Sequence, residues 1–205
     1  MLDKLKPYPL DFIQKASPGK GDAFDYAYIY KFYTERTAIS QRLKYIIRVE
    51  AYEDVFAVKF YAARDRKLDN KYNRILRVHT YSSVVRVFFT CASIVSTLYP
   101  HYPYHSYIIS GAESNDFKSD KVEGKDSNQR FRIYRTMALQ LFGRKVFEHY
   151  QQKQISTYML INRHDCPDIE QKAERIKQMF LTVDSICNFL QILRFTTIQT
   201  SLKNA

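Results

Sequence analysis

The spacing of apolar residues changes from a strand-like to a helical period near Ser82, and no other feature of this 205-residue chain constrains its fold as strongly. Before that point, Lys44–Glu50 and Val55–Tyr61 are separated by a short turn and predict a β-hairpin, and Tyr72–Val78 predicts a third strand. After it, the helical run that Pro100 ends comprises Val84, Val85, Phe88, Phe89, Ala92, Val95 and Leu98. A helix over 82–99 is therefore expected.

A strand and a second helix follow this first helix. Tyr107–Ile109 is a short apolar segment that predicts a strand, and the polar residues 112–126 predict a long exposed loop. Ser127 or Asn128 can cap the next helix, which Gly143 ends. The apolar face predicted for this helix comprises Phe131, Tyr134, Ala138, Leu141 and Phe142.

The two ends of the chain are less regular than its centre. Residues 146–150 and 156–162 predict a last pair of strands, and a final helical stretch opens at Pro167–Asp168 and runs to about residue 195. Near the N-terminus, the alternating tyrosines of residues 22–34 favour a strand over a helix, whereas residues 1–22, with their prolines and glycines, predict no element.

The resulting order of elements is strand, strand, strand, helix, strand, helix, strand, strand. Strands that alternate with helices imply an α/β fold in which helices cover a mixed sheet. We expect a variable N-terminal lead-in over 1–42, packed on the core, an α/β core over 43–163 and a C-terminal helical extension over 164–205.

Composition excludes several classes of protein. Hydrophobic residues make up 45% of the chain and aromatic residues 15%, which is too much apolar surface for a wholly disordered protein. No apolar run approaches the length of about 18 residues that a membrane span needs. The three cysteines Cys91, Cys166 and Cys187 lie far apart without zinc-ligand spacing, so we expect no metal and a reduced, cytoplasmic protein.

The net charge of +11 indicates an anionic partner, either nucleic acid or another phosphate-bearing ligand. The cations concentrate in two groups, and the candidate anion-binding or nucleic-acid-binding residues are Arg64, Arg66, Lys67, Lys71, Arg74, Arg77, Arg132 and Arg135. Arginine and aromatic side chains together can bind phosphates and stack on unpaired bases. A solvated basic face without a ligand explains the same charges equally well.

The predicted element order resembles that of the core of the GNAT acetyltransferases. In those enzymes a central strand splays from its neighbour, acetyl-CoA lies in the opening, and its pyrophosphate binds backbone N–H groups where the next helix begins. The resemblance implies acetyl-CoA as a possible cofactor and Thr80, Tyr81, Ser82, Ser83 and Arg130 as its binding residues. The glycine-rich loop of the family is absent here, which disfavours close approach of the backbone to a phosphate.

The same resemblance implies two catalytic residues. Tyr134 falls where many acetyltransferases place the tyrosine that protonates the departing thiolate, and Glu148 lies on a strand that could offer a general base. Both residues also have structural interpretations: Tyr134 occupies a core position of its helix, and Glu148 can form a salt bridge. Glu148 and His149 point to opposite faces of their strand and cannot act as a direct pair.

A second resemblance covers residues 55–163. The segments Val58–Tyr61, Arg130–Tyr134, Phe147–His149 and Tyr158–Asn162 resemble those of an uncharacterised family of small proteins from Bacteroidota. That family supports one shared domain and implies no activity.

Three functions are compatible with these observations. The first is a basic binding module for nucleic acid or another phosphate-bearing partner on an acetyltransferase-like scaffold. The second is an acetyl-CoA-dependent N-acyltransferase with Tyr134 as general acid. The third is a toxin or defence-type effector, which no motif supports.

Overall fold

The chain forms two compact units, residues 1–166 and 167–205. The computed structural model describes residues 5–38, 41–68, 70–74, 81–110, 115–116, 121–122, 124, 126–164 and 166–182. The second unit contains a helix, described over 169–182. Its start is capped by Asp168, whose Oδ1 accepts a hydrogen bond from the N–H of Gln171 at 2.8 Å.

The first unit is a mixed α/β structure built on a seven-stranded sheet. The strands are β1 (Asp11–Ala16), β2 (Tyr26–Tyr33), β3 (Lys44–Tyr52), β4 (Val55–Ala62), β5 (Ser106–Ser110), β6 (Asn115–Asp116), β7 (Lys121–Val122), β8 (Phe147–Gln152) and β9 (Thr157–Asn162). β6 and β7 pair with each other, and the remaining strands form one sheet in the order β1-β2-β3-β4-β5-β9-β8. Neighbouring strands of this sheet are antiparallel except for β4 and β5, which are parallel.

Helices supply the crossover that a parallel pair requires. The helices of this unit are α1 (Tyr81–Ala92), α2 (Ile94–Leu98) and α3 (Gln129–Phe142), and short 3-10 turns occur at Ala63–Asp65, Lys71–Asn73 and Lys153–Ile155. The chain passes through α1 and α2 between β4 and β5, and through α3 between β5 and β8. Within the described part of the chain, no helix is long and apolar enough to cross a membrane.

The main core lies between the helices and one face of the sheet. Side chains alternate between the two faces of a strand, and the core face of the central strands consists of Tyr45, Ile47, Val49, Ala51, Phe56, Val58, Phe60 and Ala62. The helices contribute Val87, Phe88, Cys91, Ile94, Val95, Leu98, Phe131, Tyr134, Met137 and Ala138. The burial of these apolar side chains holds α1, α2 and α3 against the sheet.

Local sequence explains where α3 begins and ends. The side chain of Asn128 accepts a hydrogen bond from the N–H of Phe131 at 2.9 Å, which satisfies one of the N–H groups left without a partner in the first turn. At the other end, Gly143 has a φ of 54°, a conformation that glycine adopts without steric cost. Of the two predicted caps, Asn128 is the observed one.

Several predicted elements are confirmed, and four predictions differ from the structure. One is the loop over 112–126, within which β6 and β7 pair with each other. The hairpin of β3 and β4, the strand β5, the helix α3 and the pair of β8 and β9 occur as expected. The predicted helix over 82–99 is divided at Ser93 into α1 and α2. The predicted strand at 72–78 is wrong at its start, because Lys71–Asn73 is a 3-10 turn; its residues 75–78 lie outside the described residues.

The prediction that residues 1–22 contain no element is also wrong. β1 lies there and pairs with β2, so the N-terminal segment contributes two strands to the sheet itself. β1 is an edge strand with nearly all its residues exposed, and Asp11, Gln14 and Lys15 interrupt any alternation of apolar residues. Its strand conformation depends on pairing with β2, which periodicity alone does not reveal.

Candidate functional site

The parallel strands β4 and β5 part halfway along β4. Their pairing joins Val55–Ala57 to Ser106–Ile108, whereas β4 continues to Ala62. Beyond Ala57 no further pairing joins these two strands. The second half of β4 therefore has an edge that β5 does not cover.

A small cleft, open to solvent on one side, lies beside this second half of β4. Its lining residues are Tyr45, Phe60, Tyr61, Ala62, Arg64, Asp65, Lys71, Tyr72, Arg74 and Arg130. Because side chains 60, 61 and 62 alternate between the two faces of the strand, a cleft that all three line lies at the strand's edge and end. We call this feature the β4 cleft.

Positive charge predominates in the β4 cleft. Arg64, Lys71, Arg74 and Arg130 line it together with a single carboxylate, that of Asp65. Asp65 is buried, and its Oδ1 lies 3.9 Å from the Nε of Arg64 and 3.9 Å from the Nε of Arg74. Both arginine side chains remain partly exposed, at 51% and 37%. Among the residues that line the cleft, cations therefore outnumber carboxylates by four to one.

Tyrosine rings accompany these cations. The rings of Tyr61 and Tyr72 contact each other edge to face at 5.4 Å, and the Nζ of Lys71 lies 5.6 Å and 5.3 Å from their centroids. Burial is the main cause that raises the pKa of Tyr72 and of Tyr45 above their usual range, so both phenols stay neutral at physiological pH. The cleft therefore combines cations with uncharged aromatic surface.

Arg130 supports the wall of the cleft from the first turn of α3. Its side chain is buried, and its Nη1 and Nη2 donate hydrogen bonds to the backbone carbonyls of Tyr72 and Arg74. Its Cζ lies 5.8 Å from the ring centroid of Phe60. The predicted role of Arg130 in cofactor binding stays a prediction, and the observed contacts are those of a residue that positions the segment 71–74.

Tyr134 lies in the core between α1 and α3. Its side chain is buried and its ring packs edge to face on Phe88 at 5.1 Å. Burial raises the pKa of Tyr134 well above its usual range; Cys91 raises it further, and Arg130 lowers it. The phenol therefore stays protonated, in contacts that match its structural interpretation, and it does not line the β4 cleft.

Glu148 lies far from the β4 cleft, on the edge strand β8. The strands β5 and β9 separate β8 from β4, which corresponds to about 14 Å across the sheet. The Oε2 of Glu148 accepts a hydrogen bond from the Nη2 of Arg163, in the salt bridge that was its structural interpretation. The neighbouring His149 contacts the hydroxyl of Tyr158 instead, 2.6 Å from its Nδ1.

The predicted pyrophosphate junction is described only in part. Thr80 and the cation Arg77 lie outside the described residues. Tyr81, Ser82 and Ser83 form the start of α1, where Ser82 is exposed and Ser83 half-buried. They stay predicted binding residues.

Within the described part of the chain, Arg130 of α3 lines the β4 cleft together with Arg64, Lys71 and Arg74 from the segment after β4. Arg66 and Lys67 are exposed residues just beyond the first 3-10 turn after β4, and they do not line the cleft. Arg132 is exposed and donates a hydrogen bond to the carbonyl of Ser127 at 2.7 Å, and Arg135 is exposed on α3. Of the cations in these two groups that the structure describes, four line the β4 cleft.

Five lining residues were not identified from the sequence; they are Tyr45, Phe60, Tyr61, Ala62 and Asp65. Phe60, Tyr61 and Ala62 lie at the end of a strand that the sequence did predict. The position of this strand end, next to the basic residues that follow it, could have indicated that they line a site. Asp65 lies among basic residues soon after this strand, and no motif in the sequence distinguishes its carboxylate as part of a site. Across the described residues, no group of three or more His, Cys, Asp or Glu side chains could hold a metal ion.

In comparisons with protein-family models, curated proteins and solved structures, the chain matches none.

Proposed function

We propose that this chain is a binding module for a phosphate-bearing partner, which it holds in the β4 cleft. The observation that carries the proposal is the meeting of Arg64, Lys71 and Arg74 with the rings of Tyr61 and Tyr72. These side chains come from the end of β4 and from the turns that follow it. Arginine and lysine are the side chains that bind phosphate oxygens most strongly.

The convergence of cations and aromatic rings from separate segments favours a ligand over a merely solvated surface. Asp65 lies at 3.9 Å from each of two arginines, a distance at which partly exposed charges interact weakly. Arg130 donates hydrogen bonds to backbone carbonyls, so it holds the cleft in shape, and Arg64, Lys71 and Arg74 line the same cleft. Their charges are of the sign that attracts a phosphate.

The experiment uses a 5′-phosphorylated dinucleotide as a probe of the cleft. The double variant Arg64→Gln/Lys71→Gln is compared with the wild-type chain at low ionic strength by calorimetry. We expect saturable binding to the wild-type chain and about tenfold or greater loss in the variant, since two charge-assisted contacts are removed.

The matched control is Lys145→Gln/Lys153→Gln, which removes two exposed cations outside the cleft. It has the same net charge as the cleft variant and should bind the dinucleotide like the wild-type chain. Equal weakening in both double variants, or no saturable binding to the wild-type chain, would contradict the proposal.

A second candidate, an acetyl-CoA-dependent N-acyltransferase, is favoured by one observation. In the acetyltransferases that the element order resembles, acetyl-CoA lies where a central strand splays from its neighbour, and here β4 parts from β5 beside the cleft. The cations of the cleft suit the phosphates of coenzyme A. The proposed acid and base fit less well, because Tyr134 is enclosed in the core and Glu148 lies across the sheet.

Calorimetry with acetyl-CoA tests this candidate separately. The acyltransferase requires binding at or below millimolar concentration, with release of coenzyme A in the presence of an amine. Absence of binding at millimolar acetyl-CoA removes this candidate and leaves the dinucleotide experiment unaffected.

A further inference from the structure

The face of β2, β3 and β4 that points away from the main core carries a second set of cations and tyrosines. We call it the polar face, and its members are Lys31, Tyr33, Lys44, Arg48, Lys59 and Tyr61. None of these side chains belongs to the core of the unit, since their neighbours in the strands point the other way. Lys44 is exposed and the other five are half-buried.

The strand register arranges these side chains in rows across the sheet. Lys31 pairs with Ile46, which pairs with Tyr61, so that these three form one row. The row on one side contains Tyr33 opposite Lys44, and the row on the other contains Arg48 opposite Lys59. Cations therefore occur in each of three successive rows.

A buried carboxylate anchors the third row. Glu50 is buried, and its carboxylate lies 2.7 Å from the Nε of Arg48, 2.6 Å from the Nζ of Lys59 and 3.0 Å from the hydroxyl of Tyr52. Two cations share this single anion, and their side chains remain 24% and 41% exposed. The hydrogen bonds to Glu50 hold both cations of this row in place before any ligand arrives.

Aromatic rings at the two ends of the polar face complete the pattern. Tyr61 belongs to both the polar face and the β4 cleft. Tyr33 lies two strands away, about 10 Å across the sheet, with the guanidinium of Arg42 4.6 Å from its ring centroid. Aromatic rings beside cations are the combination with which proteins bind the bases and phosphates of an unpaired strand.

From this arrangement we infer that the polar face binds single-stranded nucleic acid, whose chain runs from the β4 cleft across β4, β3 and β2. The inference rests on the proposed function in one respect: the first phosphate of the nucleic acid is placed in the β4 cleft. An unpaired strand fits better than a duplex, because bases must be unstacked to contact tyrosine rings on a sheet surface.

The test is the dependence of affinity on length. Homopolymeric DNA and RNA oligonucleotides of about two to about sixteen nucleotides, a range that spans typical single-strand site sizes, are titrated against the wild-type chain. We expect affinity to rise with length. The variant Lys31→Gln/Lys44→Gln should lose about tenfold in affinity for the longest oligonucleotide and bind the dinucleotide unchanged.

Tyr33→Ala should weaken binding of the longest oligonucleotide by about tenfold through loss of stacking. Tyr104→Ala is its control, because Tyr104 is a 49% exposed ring outside the polar face. Circular dichroism confirms that each variant is folded. A comparison of the DNA and RNA series tells which sugar the site accepts.

The outcomes separate the two proposals. Loss of the length-dependent gain in Lys31→Gln/Lys44→Gln, but not in Lys145→Gln/Lys153→Gln, supports the polar face even if the dinucleotide fails to bind. Wild-type affinity for the longest oligonucleotide in both Lys31→Gln/Lys44→Gln and Tyr33→Ala overturns the inference, whatever happens at the cleft. Tighter binding of duplex than of single strands also overturns it.

Discussion

Arg130 determines the shape of the β4 cleft, because its guanidinium joins α3 to two carbonyls of the segment that follows β4. Removal of this guanidinium is costly, because it leaves the two carbonyls without their charged hydrogen-bond donor. The residue is therefore a positioning residue for Tyr72 and Arg74, which contribute to the cleft's lining.

Replacement of Arg130 tests this role. Arg130→Met is expected to lower the free energy of unfolding by about 2–3 kcal/mol, because the carbonyls of Tyr72 and Arg74 lose a charged donor. Arg132→Met is the control: its side chain is exposed and donates to the carbonyl of Ser127, so the loss should stay below about 1 kcal/mol. Urea denaturation measures both, and equal losses would contradict the positioning role.

Because of Glu50, we expect the free energy of unfolding to depend on pH. Burial acts to raise the pKa of its carboxyl, but Lys59 and Arg48 outweigh burial and the pKa is lowered. A group whose pKa is lower in the folded chain stabilises it above the unfolded pKa, near 4.5 for glutamate, and loses this contribution as the pH falls through the folded pKa.

The corresponding variant is Glu50→Gln. At pH 7 it should lose about 1–3 kcal/mol of unfolding free energy, because two cations lose their buried partner. The difference from the wild-type chain should shrink as the pH falls below about 4.5. Asp11→Asn, at an exposed salt bridge of 3.9 Å, should differ little from wild type at either pH. A difference for Glu50→Gln that grows on acidification would refute the assignment.

At the scale of elements, the N-terminus of α3 links the fold to the site. The Asn128 cap precedes the turn that carries Arg130, so that fraying of this turn would also move the wall of the cleft. We expect Asn128→Ala to lower the free energy of unfolding by about 1 kcal/mol and to weaken dinucleotide binding.

Asn128→Asp keeps a cap acceptor and should retain most of the stability lost in Asn128→Ala. Thermal unfolding and calorimetry provide the two readouts. An Asn128→Ala variant that is destabilised but binds the dinucleotide with wild-type affinity would show that the cap does not affect the cleft, which contradicts the prediction.

Sequence periodicity predicted those elements in which the spacing of apolar residues matches the side chains that are buried. The hairpin of β3 and β4 and the helix α3 have apolar positions that match their periods, and they occur as predicted. β1 was missed because an exposed edge strand has no apolar period. The strand expected from Tyr72 begins as a 3-10 turn, in which Tyr72 contacts Tyr61. Such long-range contacts override the local preference.

At the scale of the whole molecule, the charge of +11 predicted an anionic partner but not where the partner binds. The β4 cleft combines the end of a strand, two turns and the first turn of α3, with Arg130 about 60 residues from the other cations along the chain. The sheet topology and the parting of β4 from β5 decide which cations meet. Arg132 and Arg135, which lie on the same helix, remain outside the cleft.

Phosphate binding in the β4 cleft is tested most directly by the salt dependence of binding to a single-stranded oligonucleotide. The logarithm of the association constant is measured against the logarithm of salt concentration for the wild-type chain, Arg64→Gln/Lys71→Gln and Lys145→Gln/Lys153→Gln. Each phosphate contact contributes about 0.7 to the slope for a single strand, so we predict that the cleft variant loses about 1.4 of the wild-type slope and the control loses none. Identical slopes for all three proteins, or binding that does not depend on salt, would contradict a phosphate-binding cleft at the end of β4.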